Sequence, residues 1–375
     1  MTRSTPLPDP AALGPLVADR ARAAAEGLEF ATFLVGVRAR GLGKHVSEPA
    51  LLAWKGAVKR AAGGLLADAW SERRAAFVRP EALFVWDADR EALEVTLRPL
   101  HLYGRYVKRA RGVSQTRATW PCPACRERRP RGCAACDGTG LAYPRSIEGL
   151  LAGPCAAAFL GDAAATTLHG MGREDVDVLC LGAGRPFVFE VQAPRRRSAD
   201  LATLAAEVEA GAAGALALPE GLRLVPDEVV ARVKGWPAPK VYRAVARVEG
   251  PLDPARVAAL PDRLGGVTLA QRTPQRVARR RTDLVRARRV RALEVLSIAD
   301  APDGPRVELR VEAEAGTYIK ELVSGDGGRT TPSVADALGV PCTCVELDVL
   351  EVGARDEDVL GAAPTPASQA GDEGD

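Results

Sequence analysis

The sequence predicts an α+β chain of two or three domains, and three observations lead there. Its 375 residues are ample for more than one buried core. Short runs of alternating apolar and polar residues, the period of half-buried strands, are interleaved with segments of helical spacing. Four cysteines then cluster between two such regions and mark a small module of their own. The hydrophobic content of 47% suits a globular protein.

Residues 1–25 are rich in Ala and Pro and read as a tail running into a helix. Phe33-Leu34-Val35-Gly36-Val37 reads as a strand, and Glu48 to Ala67 has helical periodicity through Leu51, Leu52, Trp54, Val58 and Leu65. Phe84-Val85-Trp86 and Leu93 to Leu97 read as two further strands. Together they form a small α/β unit, bounded here at residues 26–117. Its last stretch sets Arg105, Lys108, Arg109 and Arg111 among Tyr103 and Tyr106. Basic and aromatic side chains together suit phosphate contact and base stacking. A solvated strand end with half-buried tyrosines accounts for the same residues equally well.

Cys122-x-x-Cys125 and Cys133-x-x-Cys136, seven residues apart, offer four thiolates to one tetrahedral zinc. The module spans residues 118–143. Gly132, Gly138 and Gly140 allow the tight turns that bring the sulfurs together. A closed four-thiolate site has no open position, so the zinc is structural. Arg126, Arg128, Arg129 and Arg131 between the knuckles make either an RNA-contacting finger or a solvated loop.

A larger domain follows over residues 144–355. After two helical segments comes Gly172-Arg173-Glu174-Asp175-Val176-Asp177-Val178, whose alternation is that of a strand. Arg173 and Asp175 then share a face, where a guanidinium orients a carboxylate fit for nucleophilic work. The alternative is a solvated loop entering a strand. Ala199–Ala213 reads as a helix, and Lys240–Val245 as a strand whose Tyr242 either packs or stacks on a base. Residues 271–291 hold nine arginines against one acid, Asp283, an imbalance that suits a phosphate-tracking surface. Val307–Val311 is another strand. The glycine-rich loop Ser324–Pro332 precedes a helix at Ser333, but it lacks Gly-Lys-Ser/Thr, which argues against a nucleoside triphosphate. Cys342–Val352 closes with a strand, and the acidic residues 356–375 are expected to be a disordered tail.

The net charge of +3 is too small to name a partner, although 44 of the 51 basic residues are arginine, the side chain shaped for bidentate phosphate contact. No stretch of some twenty apolar residues and no signal-peptide layout is present, so the expectation is a soluble, cytoplasmic protein that does not engage a membrane.

Several motifs occur in one order: Gly104-Arg105-Tyr106-x-Lys108 with Arg111-Gly-Val-Ser-Gln-Thr116, the knuckles ending Cys136-Asp-Gly-Thr-Gly140, and Gly172-Arg-Glu-Asp175. Lys240-Val-Tyr242-Arg-Ala, Gln271-Arg-Thr-Pro274 with Arg276-Val and Arg280-Arg281, and Gly316-Thr-Tyr-Ile319-Lys320-Glu-Leu-Val complete the set. Over residues 30 to 352 the chain resembles the Pus-ten family of archaeal and eukaryotic tRNA pseudouridine synthases. That resemblance implies a THUMP-like RNA-binding domain ahead of a pseudouridine synthase fold, a central mixed and largely antiparallel sheet flanked by helices and loops. It implies isomerisation of uridine to pseudouridine at positions 54 and 55 of the tRNA T loop, by a monomer needing no cofactor for the chemistry. Asp175 matches the family's nucleophile. Tyr242 matches the tyrosine set against the uracil, the candidate for taking the C5 proton, and Lys320 the motif lysine near the nucleophile. Ile319 and Leu347 match residues that wall the base pocket. Arg105, Lys108, Arg276, Arg280 and Arg281 are expected on the RNA-binding surface. A non-catalytic zinc-containing tRNA-binding protein of the same fold is the alternative. The chain departs from the pattern in having no cysteine before Cys122 and a longer loop between the knuckles.

Overall fold

The computed structural model describes residues 7–41, 46–126 and 132–361. They fall into two compact units: residues 1–100 with 152–166 and 190–200, and residues 101–151 with 167–189 and 201–375.

In the first unit, strands Arg74–Ala75, Thr32–Arg38, Ala82–Asp87 and Ala92–Leu97 form a mixed sheet in that order. Helices Pro10–Ala24 and Glu48–Ala69 pack together closely enough that a Cβ at Gly14 would lie 2.5 Å from that of Ala61. Val17, Ala21, Phe33, Val58, Leu66 and Phe84 form the core. The segment expected as a tail running into a helix does form one, Pro10–Ala24, and that helix belongs to the core; it is started by Asp9, whose side chain accepts from the amide of Ala11.

The second unit is built on a large mixed sheet. Its strands run Thr330–Thr331, Thr268–Arg272, Val285–Ala299, Arg306–Ala313, Lys240–Val248, Cys342–Val352, Leu179–Val191, Leu100–Lys108 and Leu216–Ala217. Most neighbours are antiparallel, and Cys342–Val352 meets Leu179–Val191 in parallel through Asp348 and Val349. The helix Ile319–Ser324 packs on Cys342–Val352, and Val334–Leu338 is closed by a capping box between Ser333 and Asp336.

Two boundary expectations are corrected. Leu100–Lys108, assigned from sequence to the N-terminal unit, is a strand of the large sheet and buried along its whole length. The division lies at residue 100, not 117. The C-terminal segment is ordered past residue 356: Asp356–Leu360 is a helix, Val359 is buried, and Asp356 accepts from Tyr103 and Arg105. Residues 362–375 lie outside the described residues, as do Arg128, Arg129 and Arg131 of the knuckle loop.

Candidate active site

Four pieces of chain converge on a cleft of about 530 Å³: the loop Gly172–Val178, the strand Lys240–Val248, the segment Arg276–Arg281, and the turn Gly316–Lys320. Leu347 and Val349 of the Cys342–Val352 strand complete its wall.

The loop carries the candidate nucleophile, and it is not the strand that its alternation suggested. Its backbone is held by side chains instead of by a sheet ladder. The ammonium of Lys108 donates to the carbonyls of Asp175 and Val176, each at 3.1 Å. Arg111 donates to the carbonyl of Asp177, and Gln115 Nε2 to that of Gly172 at 3.0 Å. Arg185 Nη1 donates to the carbonyl of Met171 at 2.7 Å. Gly172 itself has φ +81°, a backbone state that a side chain would strain.

Glu174 turns inward. Its carboxylate lies 2.8 Å from Arg185 Nε in a pair whose side chains are 1% and 0% exposed, and it accepts from the Tyr106 hydroxyl at 2.8 Å. Gln115 Nε2 donates to that hydroxyl at 2.8 Å. This buried pair pins the loop to the strand Leu179–Val191.

Asp175 faces the cleft. Its Oδ2 lies 2.9 Å from Arg276 Nη1 and 3.4 Å from Lys320 Nζ, and both cations hold that one oxygen. Arg276 is aligned by Glu321, which accepts from its Nε at 2.7 Å and is 4% exposed. Lys320 is closer to Asp177, at 2.8 and 3.0 Å. Burial works against the Lys320 ammonium, but its hydrogen bond to Asp177 and the charges of both aspartates outweigh it and raise its pKa. Asp177 loses some solvation as well, and Lys320 more than offsets that, holding its pKa below the usual value.

Tyr242, Ile319 and Leu347, 8%, 3% and 9% exposed, line the same cleft. Burial pushes the Tyr242 phenol up to about 12, with the charge of Arg185 pulling the other way. It is therefore a neutral donor at physiological pH. The turn before Ile319 is fixed by the buried Gln271, whose amide donates to the carbonyl of Tyr318 at 2.9 Å and accepts from its N–H at 2.8 Å.

The structure thus brings Asp175, Tyr242, Ile319, Lys320, Leu347, Arg276 and Arg281 to one cleft. Three expectations are corrected. Arg173 lines the cleft, exposed, but the guanidinium on Asp175 is that of Arg276. Arg105 and Lys108 are 3% and 0% exposed and cannot form an RNA-binding surface, because their donors are taken up by carbonyls and by Asp356. Nothing is assigned to Arg280, whose side chain lies outside the described set. The sequence reading missed Glu174 and Arg185 as anchors, Glu321 as the partner of Arg276, and Lys240, which also lines the cleft. Lys240 was within reach of pattern alone, two residues before Tyr242 and so on its face of the strand.

Away from the cleft, the sulfurs of Cys122, Cys125, Cys133 and Cys136 lie within 4.8 Å of one another and could hold a metal ion. Cys125 and Cys136 are 3.8 Å apart, about the edge of a tetrahedron with metal–sulfur bonds of about 2.3 Å. The amide of Gly140 donates to Cys136 Sγ at 3.3 Å, as amides do to metal-bound thiolates. No helix among the described residues is long and apolar enough to cross a membrane.

A family model described as "Pus10, C-terminal" matches residues 101–353, beginning where the second compact unit begins. Among curated proteins, the tRNA pseudouridine synthase Pus10 of Halorubrum lacusprofundi is 38% identical over 357 residues, covering 91% of this chain and 80% of its own. That of Archaeoglobus fulgidus is 39% identical over 329 residues, 86% and 87% of the two chains. A chain from the crystal structure of a Cbf5-Nop10-Gar1 complex aligns with 67% of this chain and 58% of its own at 18% identity and a TM-score of 0.32, too slight a likeness to argue from. The model match over more than half the chain and the long alignments to two archaeal relatives give one answer: this chain belongs to the Pus10 family of tRNA pseudouridine synthases.

Proposed function

We propose that the protein isomerises uridine to pseudouridine in the T loop of tRNA, at positions 54 and 55, with Asp175 as the nucleophile. The observation that carries this reading is the setting of Asp175. Two cations grip Oδ2, Oδ1 has no hydrogen-bond partner among the described residues, and the residue lines a cleft walled by Tyr242, Ile319 and Leu347. A base inside a folded RNA arm must be flipped out to reach such a site. The apolar walls and the phenol would hold the uracil while the C1′–N1 bond breaks, the base turns, and the C1′–C5 bond forms. Because Tyr242 is a neutral phenol, it takes the C5 proton only in a relay that passes its own proton on.

The exposed arginines between Arg279 and Arg291 would carry the surrounding phosphates, and the N-terminal unit would act as a THUMP-like RNA-binding domain. The enzyme would work as a cytoplasmic monomer. For the chemistry, Asp175→Ala is expected to abolish pseudouridine formation on a tRNA transcript, mapped by chemical adducts, while tRNA binding persists. An active Asp175→Ala protein would refute the assignment.

The four-cysteine site would hold one structural zinc that closes the knuckle and takes no part in the reaction. Elemental analysis should give one zinc per chain, and Cys125→Ser should lower the melting temperature and lose the metal. A Cys125→Ser protein as stable as the parent would sink the staple.

A further inference from the structure

Lys240 is a buried cation that lines the cleft with no carboxylate paired to it among the described residues. It is 6% exposed and lines the same cleft as Asp175 and Tyr242. Its ammonium donates to the carbonyl of Ala238 at 3.2 Å, and among the described residues no carboxylate lies within ion-pair distance of it. The charge nearby is a like one. A Cβ placed on Gly172 would sit 3.2 Å from Arg185 Nη1 and 3.5 Å from Lys240 Nζ, so the two cations meet beneath the loop that carries the nucleophile. Glu174 serves Arg185, and Arg185 Nη2 is buried with no hydrogen-bond partner among the described residues. Burial and the neighbouring Arg185 lower the Lys240 amine to about 8, so the ammonium still prevails at neutral pH.

Buried charges are ordinarily paired, because desolvating a lone ion is strongly unfavourable. A buried lysine with only a carbonyl and a second cation for company, at the wall of an open cleft, has room for an anion from outside the protein. The substrate base is neutral when it enters. On the base itself, negative charge arises only during the reaction.

We propose that Lys240 is a catalytic residue whose ammonium hydrogen-bonds a carbonyl oxygen of the flipped uracil and stabilises the negative charge on the base while it is activated or detached. This rests on the reading of the cleft as a pseudouridine synthase site. The electron count favours it whichever atom Asp175 attacks. If a carboxylate oxygen bonds to C1′, the C1′–N1 pair leaves with N1 and spreads onto O2 and O4. If the carboxylate adds at C6, the C5=C6 pair moves onto C5 and O4. Both routes load a carbonyl oxygen, and that charge is withdrawn when the C1′–C5 bond has formed, the bond to Asp175 has broken to return the carboxylate, C5 has lost its proton and N1 has gained one. Lys240 neither gains nor loses a proton. Its hydrogen bond is weak to the neutral base and strong to the anion, the differential that lowers a barrier.

Two variants and one small molecule test this. Lys240→Met keeps most of the side chain and removes the charge. Its single-turnover rate of pseudouridine formation should fall by about 10²- to 10³-fold, the loss typical of removing one oxyanion donor, with tRNA affinity changed less than about twofold. In Lys240→Ala the missing segment matches propylammonium, which should restore the rate at least about tenfold, whereas 1-propanol should not. A Lys240→Met protein that reacts at the wild-type rate overturns the proposal. So does restoration by 1-propanol as good as by propylammonium, since the role would then be packing. Variants that melt below the assay temperature would assign Lys240 to stability and overturn it too. A wild-type protein that makes no pseudouridine on tRNA rejects the reading of the cleft itself, and the role of Lys240 with it.

Discussion

Two aspartates two residues apart differ in setting more than in chemistry. The Asp177 side chain is 64% exposed and tied to Lys320 through both oxygens, whereas that of Asp175 is 43% exposed and held through one. The proposed nucleophile needs an available oxygen as much as a charge, and of the two aspartates Asp175 combines one without a partner among the described residues with a position on the cleft wall. Lys320 bridges the two, so Asp177 acts on the site mainly by positioning that ammonium. Arg276 has a similar double role. Glu321 fixes its Nε edge, which leaves Nη1 to meet Asp175. A planar cation held at two points by Glu321 gives the Asp175 carboxylate a direction that a flexible ammonium alone would not.

The loop Gly172–Val178 owes its shape to donors from elsewhere in the chain. Lys108, Arg111, Gln115 and Arg185 supply the hydrogen bonds that a neighbouring strand would otherwise give, and Glu174 locks the arrangement from below. Removing one partner of a buried ion pair leaves the other uncompensated, at about 3–5 kcal/mol. Glu174→Gln should therefore lower unfolding free energy in a denaturant titration by about 3–5 kcal/mol, since Arg185 would keep its charge without a counter-ion. A change below about 1 kcal/mol would show that the pair is not what pins the loop. This is also why the local pattern misled. Val176 and Val178 alternate with Asp175 and Asp177 as in a strand, but the groups that satisfy this backbone lie some seventy residues away in sequence, at Lys108 and Arg111. The run Tyr103–Arg111 misled for the same reason: basic residues look solvated until each donor is matched to its carbonyl. What the sequence did disclose was self-contained: the strand Lys240–Val248 from its alternation, the helix Glu48–Ala69 from its period, the capped helix at Ser333 and the cysteine spacing. Alternation raised Asp175 and Tyr242 as candidates with alternatives left open, whereas Ile319, Lys320 and Leu347 came from matching motifs alone, which no periodicity would have singled out.

Across the molecule, a net charge of +3 conceals a strong local imbalance. Within residues 271–291, Arg272 is neutralised by Asp283 at 2.6 Å, Arg276 by Glu321 and Asp175, and Arg291 meets Glu312 at 3.6 Å. Arg279, Arg281, Arg286, Arg288 and Arg289 carry no ion pair among the described residues, and Arg279, Arg281 and Arg289 are exposed. They flank the segment that delivers Arg276 and Arg281 to the cleft, so a phosphate chain tracked by them would pass the site where the base must enter. Solvated arginines and phosphate-binding arginines differ in one measurable respect, the counterions released from the RNA. Removing one arginine that pairs with a phosphate should reduce the slope of log affinity against log salt by about 0.7 to 0.9. The double variant Arg279→Ala, Arg289→Ala is thus expected to bind tRNA with a slope shallower by about 1.4 to 1.8, and Lys108→Met, whose ammonium is buried on the nucleophile loop, to leave the slope unchanged. An unaltered slope in the double variant would return those arginines to the solvent and move the phosphate path to another face.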